Sequence, residues 1–280
     1  MNNNLIKFLC GSAIFFSIPT LSFAWTDAKC GSGNSLAACA ALPEQLRQSL
    51  KPEAISGGRI VMAFGTDGCL ASSPVWHTAG ELVANPGIEP NGKMSVYCDY
   101  KDQLPKAYLL YNEIKAKNDQ SYTARVFGLY AVKDESKAPF GFGEHKHEWE
   151  HAVLWLKDGV PQFISHAEHK DVKTKSVGTA AHLKDQKNVY AVKYIAKKAT
   201  HYLDFANGDK NHVVTNTNPT PIGRWFGEDM RDYVDYSKTS AEFKNIIKTA
   251  NWGETVPRID DKKWLNNHMP SEWKGKVSFN

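Results

Sequence analysis

Residues 141–156 read GFGEHKHEWEHAVLWL, and the way their side chains are dealt out in space decides the fold. Three His and three Glu crowd into positions 144–151 and then give way to an apolar run. As a helix, His147, Glu148 and His151 spell HExxH, two imidazoles one turn apart with a Glu between them, the pattern of zinc hydrolases. As a strand, Glu148, Glu150, Ala152 and Leu154 share one face, and His147, Trp149, His151, Val153 and Trp155 share the other. Four residues of strand hold His147 and His151 roughly 13 Å apart, against about 6 Å for one helical turn. The strand is favoured: Trp149 and a charged Glu150 fill the two inner positions of HExxH, and Asp158-Gly159 ends any helix before a third zinc ligand arrives. A Glu-rich donor set with one His suits a hard divalent cation, Mg²⁺ or Ca²⁺, held by carboxylate oxygens and water.

Outward from this stretch the pattern is of hairpins. Residues 148–157 and 160–166 flank Asp158-Gly159, a strong two-residue turn signal. Residues 107–115 and 121–133, rich in Tyr, Val and Leu, flank a polar turn and form a second antiparallel pair. Further strands are expected at 59–65, 189–195 and 201–205. Residues 65–100, punctuated by Gly and Pro, read as a long surface loop. Helices are expected at 43–50 and at 241–250, where Phe243, Ile246, Ile247 and Ala250 fall at helical spacing. Trp225, Trp252, Trp264 and Trp273 are scattered rather than striped and read as buried. The fold class is therefore mainly β: a central β-sandwich of antiparallel strands with peripheral helices and long loops.

Residues 1–24 read as a signal peptide, with Lys7, an apolar core over 8–18 and a small-residue end at Ala24. Residues 25–54 then form an N-terminal extension and 55–280 the sandwich domain. Among 280 residues, 34 Lys and Arg against 30 Asp and Glu give a formal charge of +4, too small and scattered for a nucleic-acid surface. No second stretch is long and apolar enough to span a bilayer. Beyond Cys10, the cysteines are Cys30, Cys39, Cys69 and Cys98, an even set in an exported chain. Three connectivities are open to them. Cys30 with Cys39 and Cys69 with Cys98 is preferred, because each pair is local and encloses a turn-rich segment; no CxxC spacing supports zinc.

EHKHEWE, residues 144–150, resembles the GHRHDWE heptapeptide of the necrosis- and ethylene-inducing peptide-like (NLP) cytolysins. VKDE (132–135), VLWL (153–156), SHAEHKDV (165–172), HYLDF (201–205) and NWGETVPRIDDKKW (251–264) resemble other segments of that family in the same order. Glu144, Lys146 and Glu148 stand where the heptapeptide has Gly, Arg and Asp. The resemblance implies a sandwich like that of actinoporins and fungal lectins, no enzymatic activity, and a secreted toxin. Such a toxin binds glycosylated inositol phosphorylceramide sphingolipids of plant plasma membranes, touches the membrane peripherally as a monomer, and permeabilises it. It implies Asp134, His145, Glu148 and Glu150 as cation ligands, His166 and His201 at the sugar cavity, and a Cys69–Cys98 disulfide. A non-toxic glycan- or lipid-binding member, and a secreted zinc metallopeptidase using His147, Glu148 and His151, are the alternative readings.

Overall fold

The structure, a computed structural model, describes residues 35–65, 68–91, 97–100, 102–135, 143–168, 171–197, 200–214 and 220–280. The expected signal peptide and Cys30 lie outside the described residues.

Two long hairpins set the architecture. β4 (Leu109–Lys115), β5 (Tyr122–Asp134), β6 (His145–Lys157), β7 (Val160–Glu168) and β8 (Asp171–Ser176) run up and down as consecutive antiparallel neighbours, and β12 (Tyr233–Asp235) closes the far edge beside β4. A second sheet has the order β1 (Arg59–Phe64), β10 (Gln186–Lys197), β11 (Thr200–Phe205), with β9 (His182–Leu183) on β10; β2 (Val75–Thr78) and β3 (Glu81–Ala84) form a separate hairpin. The expected sandwich is present, with one correction: β1 pairs with β10 and β12 pairs with β4 in parallel. Both pairings join segments far apart in sequence, which a hairpin turn cannot connect.

The central stretch is strand from His145 to Lys157, not helix. Its alternation is reproduced as two cores on opposite sides of one sheet. Ala152, Leu154 and Leu156 pack with Phe127 and Leu129 against Ile60, Met62, Val192 and Leu203 of the second sheet. Trp149, Val153 and Trp155 pack on the other side with Tyr130, Phe243, Ile247, Trp252, Leu265 and Trp273. That second layer is supplied by α3 (Ala241–Thr249), α4 (Lys262–His268) and the chain around them. The periodicity of residues 241–250 has its cause here: Phe243 and Ile247 are buried on the sheet while the opposite face stays wet.

Two stretches differ from the sequence expectation. Residues 65–100 are not merely a surface loop: they carry the β2–β3 hairpin, and Leu70, Ala71, Ser72, Ser73 and Val75 are buried. Polar residues satisfy the backbone here, Gln103 Nε2 donating to the carbonyls of Leu70 and Ala71 at 2.9 Å each, which lets a Gly- and Pro-rich segment lie inside. From Ser35 the extension forms α1 (Ser35–Ala38) and α2 (Glu44–Leu50), and Ala37, Leu42 and Leu50 belong to the main core. The Arg47 guanidinium is buried, with Nη2 donating to the carbonyls of Ala107 (2.7 Å) and Arg231 (2.6 Å).

Candidate cation site

Asp134 ends β5 and His145 begins β6, and the two are directly paired across the antiparallel ladder. Both therefore belong to strands, each lying just beyond the strand ends expected at 133 and 148. Glu148 is three residues beyond His145 and would point to the opposite side of a regular strand. The alternation is broken between them: His147 has φ 64, a left-handed conformation rare for a residue with a Cβ. With that turn in place His145 Nε2 lies 3.2 Å from Glu148 Oε2 and 3.9 Å from Asp134 Oδ2. One ligand atom from each of Asp134, His145 and Glu148 fits within 4.8 Å.

The neighbours fix each donor. His145 Nδ1 donates to the His147 carbonyl at 2.7 Å, which assigns its proton to Nδ1 and leaves the Nε2 lone pair facing the carboxylates. His201 Nδ1 donates to Asp134 Oδ1 at 2.5 Å, and the His201 backbone N–H reaches Asp134 Oδ2 at 3.1 Å, so the Asp134 carboxylate is held from β11. The His147 ring is itself anchored, its Nδ1 2.7 Å from the Tyr130 hydroxyl and its ring edge-on to Trp252 at 5.4 Å.

The charge balance asks for a cation. Asp134, Glu148 and Glu150 are only 1%, 5% and 5% exposed. Burial, then Glu150 and Asp134, push the Glu148 carboxyl well above the usual range; burial and then Asp134 do the same to Glu150. Glu150 Oε2 has no hydrogen-bond partner among the described residues. Carboxylates drawn together in a dry place with imidazoles as their polar company are the donor set of a hard divalent ion, so the residues fit one.

The site floors a cavity of about 540 Å³ lined by Asp134, His145, Glu148, Glu150, Thr200 and His201 on one side. β7 pairs with β6 only as far as Ala152, so the edge of β6 from His145 to His151 is left to face this cavity. The opposite wall is Glu254, Thr255, Val256, Arg258, Trp264 and His268. Sequence reasoning missed that wall. Its signal lay in NWGETVPRIDDKKW, which carries five of the six, but Trp264 had been assigned to burial; Trp225, Trp252 and Trp273 are buried, and Trp264 is half-buried at the cavity.

The remaining expected residues are placed as follows. Glu150 lines the cavity outside the tight group of three. His201 lines it; His166 does not, and sits buried on β7 with its ring 4.5 Å from that of Phe205. Cys69 is bonded to Cys98, and Cys39 is disulfide-bonded while its expected partner Cys30 is outside the described residues. The zinc pair of HExxH does not form, because on a strand the two rings are spent elsewhere: His147 on Tyr130, and His151 Nε2 accepting the Arg258 backbone N–H at 2.9 Å. Burial lowers these two imidazoles to about 4 and about 3, so both are neutral packing elements.

The fold is thus a two-sheet β-sandwich that carries a carboxylate and histidine cluster at the rim of its central hairpin. Residues 59–268 match the family described as Necrosis inducing protein (NPP1), and the chain belongs to that family. Its fold is that of non-toxic HaNLP3 (TM-score 0.55, 15% identity, covering 79% of this chain and 92% of that one). It is equally that of NLPPya in complex with glucosamine (TM-score 0.54, 16% identity, 80% and 90% covered). Necrosis and Ethylene inducing Protein 2 from the causal agent of cocoa's witches' broom disease is a third similar structure (TM-score 0.52, 19% identity, 81% and 91% covered). A comparison with curated protein sequences gives no match.

Proposed function

We propose that this chain is a secreted, cation-dependent cytolysin that binds glycosylated inositol phosphorylceramide headgroups of plant plasma membranes and permeabilises them without an enzymatic step. The observation that carries this reading is the convergence of Asp134, His145 and Glu148 at the floor of an open cavity, where a bound ion stays reachable from outside. Glu150 is assigned as a further ligand on its unpartnered buried oxygen. The ion is Mg²⁺ or Ca²⁺, and when bound it supplies coordination positions for hydroxyl oxygens of a sugar headgroup. The chain's part is to hold that ion off-centre: His201 fixes Asp134, the His147 carbonyl fixes His145, and the β6 edge leaves one side open. Support for a sugar comes from NLPPya, similar in fold and solved with glucosamine and with mannosamine. Residues 1–24 support export, and His201 and His166 are assigned to the headgroup end of the cavity, His201 on its lining and His166 behind it, buried beside Phe205 of β11. A non-toxic glycan-binding role is the second reading, favoured by the fold shared with non-toxic HaNLP3.

Dye-loaded vesicles with and without the glycosylated sphingolipid separate the two. The cytolysin reading expects leakage only with the sphingolipid and Mg²⁺ or Ca²⁺ present, abolished by chelator and by Asp134→Ala. Binding to those vesicles without leakage establishes the second reading. Binding that ignores both cation and glycan refutes both.

A further inference from the structure

The wall of the cavity opposite the cation cluster has a chemistry of its own. Trp264 and His268 lie one turn apart on α4, their rings 4.9 Å apart, with His268 Nδ1 donating to the Trp264 carbonyl at 2.8 Å. Inward from them the rings continue: His151 is 6.2 Å from Trp264, and Trp149 stacks on His151 at 6.0 Å with an interplanar angle of 15°. Beside the rings Arg258 Nη1 and Asp261 Oδ2 form an ion pair at 2.6 Å, partly open to solvent, and the other Asp261 oxygen caps α4 at the Trp264 N–H (2.8 Å). The platform is thus held rigid from below and from the side.

Two polar groups here are unspent. The indole N–H of Trp149, a residue that lines the cavity and is 5% exposed, has no hydrogen-bond acceptor among the described residues. A buried donor left without an acceptor costs about 1–3 kcal/mol, so a site keeps one where a ligand supplies the acceptor. Glu254, on the rim, makes no hydrogen bond or ion pair among the described residues and faces the same space. An aromatic ring face, a planar ion pair and a buried N–H are the groups that recognise a pyranose: C–H faces on the ring, hydroxyls on the polar atoms.

We propose that this wall, with Arg258, Trp264 and His268, together with Trp149 of β6 beneath it, is a second sugar subsite, which takes the next pyranose of the glycan whose first sugar is at the cation. The inference rests on the sugar-binding reading above and adds to it a preference for disaccharide over monosaccharide headgroups. Both subsites line one cavity along the unpaired edge of β6, so one glycan can occupy them together.

The test is calorimetric titration of the cation-loaded full chain with glucosamine, its β-linked dimer, maltose and lactose, repeated on Trp264→Leu and His268→Ala. Trp264→Leu keeps apolar bulk in place of the ring, and cation binding by each variant serves as its folding control. At least one disaccharide is expected to bind about tenfold tighter than the monosaccharide. Trp264→Leu removes that advantage and leaves monosaccharide affinity as it was, with His268→Ala lowering the disaccharide alone. Equal binding of monosaccharide and every disaccharide overturns the subsite while leaving the first sugar site standing, as does a Trp264→Leu loss that falls on both alike. Inorganic phosphate bound at Arg258 in place of the sugars overturns it too. If no sugar binds the cation-loaded chain, the sugar-binding reading itself fails and the subsite with it.

Discussion

His147 is the residue on which the geometry of the cation cluster turns, although it donates nothing to the ion. Its left-handed backbone puts His145 and Glu148 on one side, and its carbonyl sets the tautomer of His145. A β-branched residue is strained in that conformation by roughly 1–3 kcal/mol, so His147→Val is expected to weaken cation binding about 10–100-fold, as loss of an orienting contact does. His147→Gly tolerates the backbone and loses only the ring anchored by Tyr130, so its loss is smaller; calorimetry with Mg²⁺ orders the two. Tyr130→Phe, which removes one hydroxyl from a fully buried ring, is expected to act in the same direction on affinity. The carboxylates give a pH signature. Because folding raises the Glu148 and Glu150 carboxyls, their contribution to the metal-free protein is complete below the unfolded value and is lost as pH rises through the folded one. The depressed His147 and His151 work on the acid side, costing stability as pH falls below about 6.5. Melting in chelator should therefore fall as pH rises above the unfolded carboxyl value of about 4.5, opposed by the histidines only below about 6.5. Excess Mg²⁺ should reverse that slope, since it binds the deprotonated carboxylates; a flat profile in chelator contradicts the buried charges.

At the scale of elements, the hairpin turn joining β6 to β7 is also a docking point for the chain before β1. Gly57 has φ 79, and a Cβ there would stand 2.6 Å from the Gly159 carbonyl oxygen. Gly57→Ala is expected to cost about 1–3 kcal/mol in urea unfolding, whereas Gly80→Ala, with open space around it, should cost only its backbone preference. The strand character of the central stretch was legible in the sequence because alternation over ten residues puts charged groups on one side and Trp on the other. Its start at His145 was not, since Gly143-Glu144-His145 carries no apolar pattern and the break in alternation at His147 is a backbone event with no letter of its own. The β2–β3 hairpin was hidden for a similar reason: Gly and Pro announce a loop, and only long-range hydrogen bonds such as those from Gln103 reveal that it is buried. His166 was assigned to the cavity by likeness of motif; the register of β7 pairs it with Ala152 and buries it beside Phe205, outside the cavity's lining.

Over the whole molecule, Cys69–Cys98 closes a segment of 29 residues that packs into the main core. Replacing both Cys by Ala is expected to cost about 3–4 kcal/mol, the chain-entropy value for a loop of that length, read as a lower urea midpoint with a steeper slope, since the opened unfolded chain exposes more surface. The far wall of the cavity was the least legible part of the site, because it is assembled from residues 254–268 against a strand a hundred positions earlier. Nothing local marks Arg258 or His268 as belonging beside Glu148. What unites the molecule is that β5 and β6 are buried on both faces along most of their length, while the edge of β6 that β7 leaves unpaired carries the cation cluster at the cavity.

Titration of Mg²⁺, with Mn²⁺ as a spectroscopic substitute, into the wild-type chain, His145→Ala and His151→Ala tests that claim most directly. One ion per chain is expected for the wild type, lost in His145→Ala and retained in His151→Ala. Retention in His145→Ala with loss in His151→Ala would return the chain to its HExxH reading and contradict the account.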